Sequence, residues 1–443
     1  MKKNNIKVIG LFSGCGGLDL GFKQAGYDLI WSNDILKDAC DTYRLNIGDH
    51  ILNEDITKID LDTIPNTDII IGGPPCQGFS GIGKRDPNDN RSALVYSYLD
   101  VVNKVQPKIF LFENVAGIKS SKAADGSKVI DNLKQAFEDI GYHINIFTLN
   151  AADYGVPQRR KRVFIIGNKI GVDISAPPQT HFENKEGKRK WISSFEAISD
   201  LDSPTEKGET KYKHQPKNEY QILMRKKADK TTLHIVPYSS PTDKEIISHV
   251  KPGGNYMDIP DSVSTKRIMY FKSTGGRTTT YGRLDPEKPN YTINTHFNRP
   301  NIGCNIHYEE DRMITIREGL RFQSFPDDFQ LISKTQRNYY VQVGNAVPPL
   351  LSKAWAEHLL TYLVYIPSPK AIHIAKSHES QPHKPKLVKE YVFANAENDT
   401  EWKNTEAITG VWQKSEFRVK WSFVLRIKFS AGKQFSAPKS PTS

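Results

Sequence analysis

The segment KVIGLFSGCGG, residues 7–17, joins a short apolar run to a glycine-rich turn. The run Lys7–Phe12 is typical of a buried β-strand, and the turn Gly10–Gly17 lets the backbone approach a ligand closely. The turn departs from the G-x-G-x-x-G spacing of dinucleotide-binding proteins, and Phe12 offers a ring on which an adenine can rest. On its own such a turn fits a ligand site and an ordinary turn equally well, so its meaning depends on the rest of the chain.

Further apolar runs follow the first one at regular intervals. They are Leu29–Trp31, Asp68–Ile71, Lys108–Phe112, Ile144–Leu149 and Arg162–Ile166. Between several of them lie helix-like stretches such as Ser127–Ile140, whose apolar residues recur every three or four positions. This alternation predicts an α/β fold with a doubly wound, mostly parallel sheet and helices on both faces. Ligands of such sheets bind at the carboxyl ends of the strands.

The texture of the chain changes after residue 175. Residues 176–310 are polar and rich in Lys, Thr, Asn, Gly and Pro, without a sustained helical period. We expect this stretch, called the insert below, to form a smaller, loop-rich domain. Helix-like patterning returns at Thr315–Gln323 and Leu350–Leu363, which predicts that residues 311–367 rejoin the first domain, residues 1–175.

The C-terminal part, residues 368–443, is predicted to be a polar linker followed by an extension. Within it Phe417–Phe429 alternates strictly between apolar and polar residues, as a half-buried β-strand does, and its outer face is basic. The pattern fits a DNA-contacting module and equally a strand that packs on the insert.

Composition restricts the classes of protein to consider. No apolar run reaches the roughly 18 residues of a membrane span, and the first ten residues lack a secretory leader, so we expect a cytoplasmic protein without a membrane partner. The four cysteines are far apart and show no C-x-x-C spacing, which disfavours a disulfide framework or a zinc site. The net charge of +11 permits DNA or RNA as a partner without proving either.

Two candidate acids lie between the runs Leu29–Trp31 and Asp68–Ile71. Asp34 comes just after the second strand, where an acid can bridge the hydroxyl groups of a ribose, and Asp55 lies near the third. Either residue alone fits a solvated loop acid. Together with the glycine turn, their spacing favours a ligand that contains adenosine.

A cysteine stands at the end of another expected strand. The segment GGPPCQGFS, residues 72–80, directly follows Asp68–Ile71 and places Cys76 behind two rigid prolines. A free cysteine is usually a small buried apolar residue. The flanking prolines and the polar Gln-Gly-Phe-Ser segment suit an exposed loop instead, so we expect Cys76 at the ligand crevice.

Ionisable groups accompany two more strands. Glu113 ends the apolar strand Lys108–Phe112, where partial desolvation raises the pKa of a carboxyl group toward the range useful for proton transfer. The basic run Gln158–Arg162 leads into the strand Arg162–Ile166, so alternate side chains are expected to point toward the same crevice.

Six motifs occur in order along the chain. They are GLFSGCGG, GGPPCQGFSG, FENVAG, QRRKRVFIIG, TIREGLRFQSFPDDF and QVGNAVPP. This set resembles the cytosine carbon-5 DNA methyltransferases of prokaryotic restriction-modification systems. The resemblance covers roughly residues 6–175 and 310–363, and the insert falls where that family keeps its target-recognition domain. It implies a Rossmann-like, S-adenosylmethionine-dependent methyltransferase domain joined to that smaller domain.

The resemblance implies a role for each catalytic candidate. Cys76 would add to carbon 6 of cytosine as a covalent nucleophile, which makes carbon 5 reactive toward the methyl group. Glu113 would donate a proton to ring nitrogen 3. Arg160 and Arg162 would hold the base and balance negative charge.

The resemblance also implies the residues of the cofactor site, with S-adenosylmethionine as methyl donor and no metal. Phe12 would contact the adenine, Gly14 and Gly17 the methionine end, Asp34 the ribose and Asp55 the adenine amino group. The remaining lining residues would be Gly73, Pro75, Leu94, Asn345 and Val347. Asp34 stands where a glutamate is common in the family, so its contact with the ribose rests on a shorter side chain.

The implied substrate is duplex DNA, from which the target base must be flipped out. The loop 81–91 suits a mobile lid whose Lys84 and Arg85 meet phosphates. In the insert, Arg277, Arg283 and Arg299 are candidates for reading guanine edges or gripping phosphates. A cognate restriction endonuclease that shares the recognition sequence fits this setting; no stable protein partner is implied, and we expect a monomer.

Other functions remain to be weighed. A tRNA cytosine-5 methyltransferase of the same fold shares these motifs, although the large insert favours DNA. A catalytically silent DNA-binding regulator would have no chemical use for Cys76, Glu113 and Arg160 together. A nicotinamide oxidoreductase has no role for Pro-Pro-Cys, and an adenine methyltransferase requires an Asp/Asn-Pro-Pro-aromatic loop in its place.

Overall fold

The computed structural model describes residues 4–75, 90–123, 125–226 and 228–364. The chain divides into two compact units, Met1–Ile366 and Pro367–Ser443. Every described residue belongs to the first unit. The predictions made for Cys76, for Lys84 and Arg85, and for the strand Phe417–Phe429 lie outside the described residues.

One seven-stranded sheet forms the centre of the fold. The first eight strands of the chain are β1 (Lys7–Leu11), β2 (Asp28–Asp34), β3 (Ile51–Asn53), β4 (Ile69–Gly72), β5 (Ile109–Val115), β6 (His143–Asn150), β7 (Gln158–Arg159) and β8 (Lys161–Asn168). All of them except β7 belong to the sheet, in the order β3-β2-β1-β4-β5-β8-β6. Each of the six predicted strands is present, and β3 is the additional strand that precedes Asp55.

The direction of the strands matches the predicted doubly wound sheet. Strands β1 to β5 are all parallel to one another. Strand β8 lies between β5 and β6 and is antiparallel to both. The carboxyl ends of the five parallel strands therefore lie at one edge of the sheet. The predicted α/β, mostly parallel architecture is confirmed.

Helices cover both faces of the sheet. The helices are α1 (Gly17–Gln24), α2 (Lys37–Asn46), α3 (Asn90–Val105), α4 (Val129–Asp139), α5 (Ser194–Ile198), α6 (Glu219–Arg225), α7 (Pro241–Ser248), α8 (Lys266–Thr274), α9 (Ile316–Phe322), α10 (Gln336–Asn345) and α11 (Pro349–Val364). In the described ranges, none of these helices is both long and apolar enough to cross a membrane.

Alternate residues of β5 show how the two faces are filled. Phe110 and Phe112 belong to the buried cluster that includes α3 and α4, whereas Ile109 and Leu111 belong to the cluster that includes α1 and α11. Successive side chains of a strand point to opposite faces, so an apolar strand serves both clusters at once. This burial keeps the strand ends, and the loops that follow them, in fixed positions.

The insert contains more regular structure than the sequence predicts. Helices α5 to α8 lie within it, together with the short strands β9 (Thr210–Lys211), β10 (Lys230–Thr231), β11 (Gly282–Arg283), β12 (Asn290–Tyr291) and β13 (Cys304–Ile306). Most of the described insert lies outside helices and strands, as expected, but the positions of these four helices were not predicted. They are too short, at five to nine residues, for a periodic pattern to stand out.

Capping residues rather than periodicity mark where these helices begin. Ser193, Asn218, Ser240 and Thr265 each precede one of the four helices, and each side chain accepts a hydrogen bond from a backbone N–H in the first turn. Part of the insert has a small core, in which Ile246, Tyr256, Ile268, Tyr281 and Ile306 are buried together with Met313, which follows the insert.

A buried ionic network joins the start of the insert to α9. Arg321 lies between two carboxylates: its Nη1 is 3.0 Å from Asp200 Oδ1, and its Nε is 2.6 Å from Asp327 Oδ1. All three side chains are fully buried. The same guanidinium donates to the carbonyl of Ala197 at the end of α5. Burial of these charges is tolerated because each is paired and hydrogen-bonded.

Replacing Arg321 by methionine should destabilise the protein strongly, because the two carboxylates would remain buried without the guanidinium. We expect the free energy of unfolding, measured by urea titration, to fall by about 3–5 kcal/mol. The matched control is Arg189→Met, which removes an exposed ion pair with Glu219 and should cost about 1 kcal/mol or less. Equal losses in the two variants would show that the buried network does not hold the insert.

Candidate active site

A pocket of about 730 Å³ lies at the carboxyl ends of the parallel strands, where the fold predicts a ligand site. We call it the sheet-edge pocket. Its volume falls in the range of about 300–1,000 Å³ that is typical of small-molecule sites. All ten residues predicted for the cofactor line it: Phe12, Gly14, Gly17, Asp34, Asp55, Gly73, Pro75, Leu94, Asn345 and Val347. Glu113, Arg160 and Arg162 line it as well.

The glycine turn is fixed to the end of the neighbouring strand. Gly14, with a φ of 55°, donates its backbone N–H to Asp34 Oδ2 at 2.8 Å, and Ser13 donates to the carbonyl of Asn33. Phe12 also has a φ of 55°, which a residue with a side chain adopts only at some cost in energy. Such strained residues cluster at functional sites, which agrees with a ligand-binding role for this turn.

The two strand-end acids differ in their surroundings. Asp34 is buried, which raises the pKa of its carboxyl group, and it accepts backbone N–H groups from Gly14 and Leu36. Asp55 is more open and caps a short 3₁₀ helix through Oδ1, which accepts from Thr57. Among the described residues, no group hydrogen-bonds Asp55 Oδ2. Each acid thus retains acceptor capacity for a ligand hydroxyl or amino group.

A buried acid below the glycine turn was not predicted. Asp19 accepts hydrogen bonds at Oδ1 from the hydroxyl groups of Ser13, Ser32 and Tyr43. A Cβ on Gly10 would lie 2.2 Å from this oxygen, so only glycine leaves room for the carboxylate. Burial raises the pKa of Asp19 to about 6. The sequence does not reveal that Asp19 is buried, because the residues that donate to it come from three separate segments of the chain.

Glu113 and Arg162 form an ion pair inside the pocket. Arg162 Nε lies 2.9 Å from Glu113 Oε1, in a geometry that makes an ion pair but not a well-aligned hydrogen bond, and both side chains are about 10% exposed. Burial raises the pKa of Glu113, and the nearby Arg162 and Arg160 oppose that rise only in part. A carboxyl group in this setting is able to hold a proton and pass it on.

The loop that leads to Cys76 is anchored beside this pair. Gly73 approaches so closely that a Cβ there would lie 2.8 Å from Glu113 Oε2. Asn114 donates from Nδ2 to the carbonyl of Pro74 at 3.0 Å, a positioning contact that the sequence analysis did not identify. Pro75, which lines the pocket, is bonded directly to Cys76, and Cys76 itself is outside the described residues.

The other three cysteines are poor nucleophiles. Cys15, Cys40 and Cys304 are all buried free thiols, and burial raises the pKa of each to about 12. A thiol of such pKa is almost entirely protonated at neutral pH, whereas the nucleophile is the thiolate. By elimination, Cys76 is the cysteine of this chain left for nucleophilic chemistry.

Arg160 is committed to backbone carbonyls. It is 1% exposed, its Nη1 donates to Ile293 at 2.9 Å, and its Nη2 donates to Gly344 at 2.8 Å and Ala346 at 3.0 Å. The preceding Gln158 donates to Phe322 in the same manner. The structure therefore places Arg162, not Arg160, beside the carboxyl group of Glu113.

The DNA-contacting candidates of the insert fall into two groups. Arg277 and Arg299 are exposed, as a contact to DNA requires. Arg283 is buried, and its guanidinium donates to the carbonyls of Val250, Ile247, His307 and Glu310 and to Asp311. Its donors are thus used inside the protein, and we remove Arg283 from the DNA-contacting set. An arginine that supports an interior turn and one that meets DNA look alike in sequence.

The described part of the chain contains no cluster of three or more His, Cys, Asp or Glu residues arranged to hold a metal ion. The Rossmann-like sheet, with a ligand pocket at the carboxyl ends of its parallel strands, defines the class as an α/β protein with a small-molecule site. Comparisons with known proteins then identify the family.

A family model described as C-5 cytosine-specific DNA methylase matches residues 6–361. Type II methyltransferase M.NgoFVII of Neisseria gonorrhoeae is 37% identical over 352 residues, which cover 78% of this chain and 84% of that protein. Type II methyltransferase M.DdeI of Desulfomicrobium norvegicum is 36% identical over 380 residues, which cover 81% of this chain and 89% of that protein.

Solved structures agree with this assignment. A protein of an Escherichia coli prophage, described as a DNA modification methyltransferase, has a TM-score of 0.63 and 26% identity over 81% of this chain and all of its own. Dnmt2 of S. pombe shares the fold, with a TM-score of 0.51 and 19% identity over 82% of this chain and all of its own. The chain belongs to the C-5 cytosine-specific DNA methylase family. The enzyme is thus a DNA methyltransferase that acts on carbon 5 of cytosine.

The buried Asp19 predicts a specific dependence of stability on pH. Its pKa is raised from 3.8 to about 6 in the folded protein, so the folded state binds this proton more tightly than the unfolded state. Between about pH 4 and pH 6, rising pH should therefore remove about 3 kcal/mol of stability through this group. Asp19→Asn does not titrate and should lack that loss.

The test compares the free energy of unfolding of the wild type and Asp19→Asn across this pH range, since the difference isolates one group from all others. We expect the free energy of unfolding of the wild type to fall relative to that of Asp19→Asn as pH rises. Parallel curves for the two proteins would contradict it.

Proposed function

We propose that the enzyme transfers a methyl group from S-adenosylmethionine to carbon 5 of one cytosine in a specific short sequence of duplex DNA. The observation that carries the proposal is the content of the sheet-edge pocket. Glu113, whose pKa is raised, shares this cavity with the strained glycine turn and with the strand-end acids Asp34 and Asp55. One pocket therefore combines groups suited to an adenosine ligand with a proton donor suited to a base.

The residues present fit S-adenosylmethionine, which supplies an electrophilic methyl group when bound. Phe12 offers its ring to the adenine, and the turn at Gly14 and Gly17 leaves space for the methionine end. Asp34 is directed to the ribose and Asp55 to the adenine amino group. Although Asp34 already accepts two backbone N–H groups, each carboxylate oxygen has a second lone pair for a hydroxyl group.

Cys76 begins the chemistry on cytosine. Its thiolate forms a bond to carbon 6, and the electron pair of the 5,6 double bond shifts toward nitrogen 3, to which Glu113 gives its proton. Carbon 5 of the resulting enamine is nucleophilic enough to take up a methyl group. Loss of the carbon-5 proton then restores the double bond as the thiolate leaves, and nitrogen 3 returns its proton to Glu113.

Two of the three arginines of the QRRKR segment, Arg160 and Arg162, have different roles. Arg162 lies against Glu113, where it can orient the carboxyl group and meet the base. Arg160 holds the walls of the pocket through three carbonyl groups. We therefore assign contact with the base to Arg162 and positioning to Arg160.

The target cytosine reaches the pocket by leaving the DNA helix, at a cost of a few kcal/mol. Lys84 and Arg85, in the segment after Cys76, are proposed to meet phosphates, as are exposed arginines of the insert such as Arg299. The insert is proposed to be the target-recognition domain.

The biological setting proposed is a type II restriction-modification system, because the relatives named above are Type II methyltransferases. Its modification enzyme protects the recognition sequence from a cognate nuclease. A monomer in the cytoplasm, without a stable protein partner, remains the prediction from sequence.

Replacing Cys76 by serine should abolish turnover, because a hydroxyl group of high pKa does not add to carbon 6. Affinity for S-adenosylmethionine, measured by calorimetry, should change little, since the predicted cofactor contacts come from other residues. Transfer of labelled methyl groups to duplex DNA and to tRNA would be measured in parallel. Cys304→Ser is the control and should retain turnover, because Cys304 is buried in β13. Turnover by the Cys76 variant would refute the mechanism, and transfer to tRNA alone would refute the substrate.

Replacing Glu113 by glutamine should lower kcat by roughly a hundredfold to ten-thousandfold, since the amide keeps the shape but supplies no acidic proton. The wild type needs Glu113 protonated, so its rate should fall as pH rises through the pKa of this group. Because burial raises that pKa, the fall should occur above the ordinary pKa of glutamate. The variant should lack it.

Initial rates over about pH 5 to 9 would test this. Glu138→Gln, which changes a partly exposed acid of α4 paired with Lys134, should keep the wild-type profile. A pH profile of Glu113→Gln identical to that of the wild type would remove Glu113 from proton transfer.

A further inference from the structure

A second pocket, of about 550 Å³, lies in the insert. We call it the insert pocket. Arg267, Arg277 and Tyr291 are at its exposed rim, and Thr280, Asn294 and Asn301 are among its more buried lining residues. None of the described residues that line it is acidic. A concave, polar and cationic surface of this kind suits an electron-rich ligand edge.

One backbone segment separates the insert pocket from the sheet-edge pocket. Thr292 and Asn294 line the insert pocket. Between them, Ile293 donates its N–H to Gln158 and accepts from Arg160, which lines the sheet-edge pocket. Asn294 also packs against Gly344 of that pocket, so closely that a Cβ on Gly344 would lie 2.5 Å from its carbonyl carbon. The two cavities are therefore on opposite sides of a shared wall.

This arrangement places the insert pocket near the bases that surround the target. Successive bases of a DNA strand are about 3.4 Å apart along the helix axis. When one cytosine enters the sheet-edge pocket, the base pairs beside it remain within a few such steps of the shared wall. The surface beyond the wall is therefore positioned to read them.

Among the cations of this surface, Arg277 has a guanidinium that makes no hydrogen bond, ion pair or ring contact with the described residues. Arg267 lies over the ring of Phe271, at 5.3 Å from its centroid, and the donors of Arg283 are bound inside the protein. Within the described part of the chain, the Arg277 side chain has no hydrogen-bond or ion-pair partner. Its planar guanidinium is able to donate two parallel hydrogen bonds.

The backbone holds Arg277 in place although its side chain is exposed. Thr280 donates its N–H to the carbonyl of Arg277 at 2.9 Å, which closes a turn. The hydroxyl group of Tyr256, in the core of the insert, donates to the carbonyl of Gly276 at 3.1 Å. The backbone that carries Arg277 is thus already ordered, so less backbone freedom is lost when the side chain binds a ligand.

We propose that the insert pocket receives the major-groove edge of a guanine in the recognition sequence, and that Arg277 donates to its O6 and N7 atoms. Among the four bases, guanine alone presents two adjacent acceptors in the major groove that match a guanidinium. Arg277 is thus a specificity-determining residue. This inference rests on the proposed function, since it assumes that duplex DNA is the substrate.

The test uses a duplex library with randomised positions around a central cytosine, incubated with the full-length enzyme and S-adenosylmethionine and read by bisulfite sequencing. The wild type should show guanine at one or more fixed positions. Arg277→Ala and Arg277→Met should reduce the preference for guanine at one position by roughly tenfold or more and leave the other positions unchanged. Arg189→Ala, which changes an exposed arginine of the insert that pairs with Glu219 and does not line the pocket, is the control and should keep the full preference. Melting curves would establish that each variant is folded.

The possible outcomes distinguish failure of the proposed function from failure of the role assigned to Arg277. If the wild type methylates no duplex, the proposed function fails and this inference with it. If the wild type methylates a defined sequence and both Arg277 variants keep the same preference at every position, the pocket assignment alone is overturned. A uniform loss of methylation at all sequences would likewise overturn it, because that is the signature of a phosphate contact.

Discussion

A single buried guanidinium sets the geometry on which the site depends. Arg160 lies between β7 and β8 and donates to the carbonyls of Ile293, Gly344 and Ala346. The first of these belongs to the insert, and the other two belong to the wall of the sheet-edge pocket. A buried charge is costly unless its donors are satisfied, and here backbone oxygens satisfy most of them. Arg160 thus contacts both the insert and the wall of the sheet-edge pocket.

The strand period explains how neighbouring basic residues take different tasks. Side chains two positions apart point to the same face of an extended chain. Arg160 and Arg162 accordingly both line the sheet-edge pocket, whereas Arg159, between them, lies over the ring of Tyr291 at 4.1 Å. The three arginines of this basic segment therefore have three different contacts. Arg160 binds backbone carbonyls, Arg162 pairs with Glu113, and Arg159 contacts the insert. Arg160 holds the walls of the pocket, and Arg162 opposes the rise in the pKa of Glu113, the proposed proton donor.

The central sheet could be predicted from sequence because it follows from strong local patterns, whereas the residues that line its pocket were implied by the resemblance to the methyltransferase family. Apolar runs such as Lys108–Phe112 are long enough to mark strands, and parallel strands bring their carboxyl ends together. The contacts that complete the site could not be predicted. Asp19 and Asn114 act through partners distant in sequence, and nothing in the sequence separates the interior Arg283 from the exposed Arg277. The short helices of the insert were missed because their capping residues, not their periodicity, define them.

The proposed mechanism requires a covalent bond between Cys76 and cytosine, and trapping that bond would test it. The enzyme and S-adenosylmethionine would be incubated with duplex DNA in which every cytosine carries fluorine at carbon 5, so the recognition sequence need not be known. The mechanism ends with loss of a proton from carbon 5, and fluorine does not leave in its place. We therefore expect a complex of enzyme and DNA that resists denaturation. Mass spectrometry should identify Cys76 in the peptide that is linked to the DNA. Absence of any covalent complex from an enzyme that methylates ordinary duplex DNA, or linkage to another residue, would contradict it.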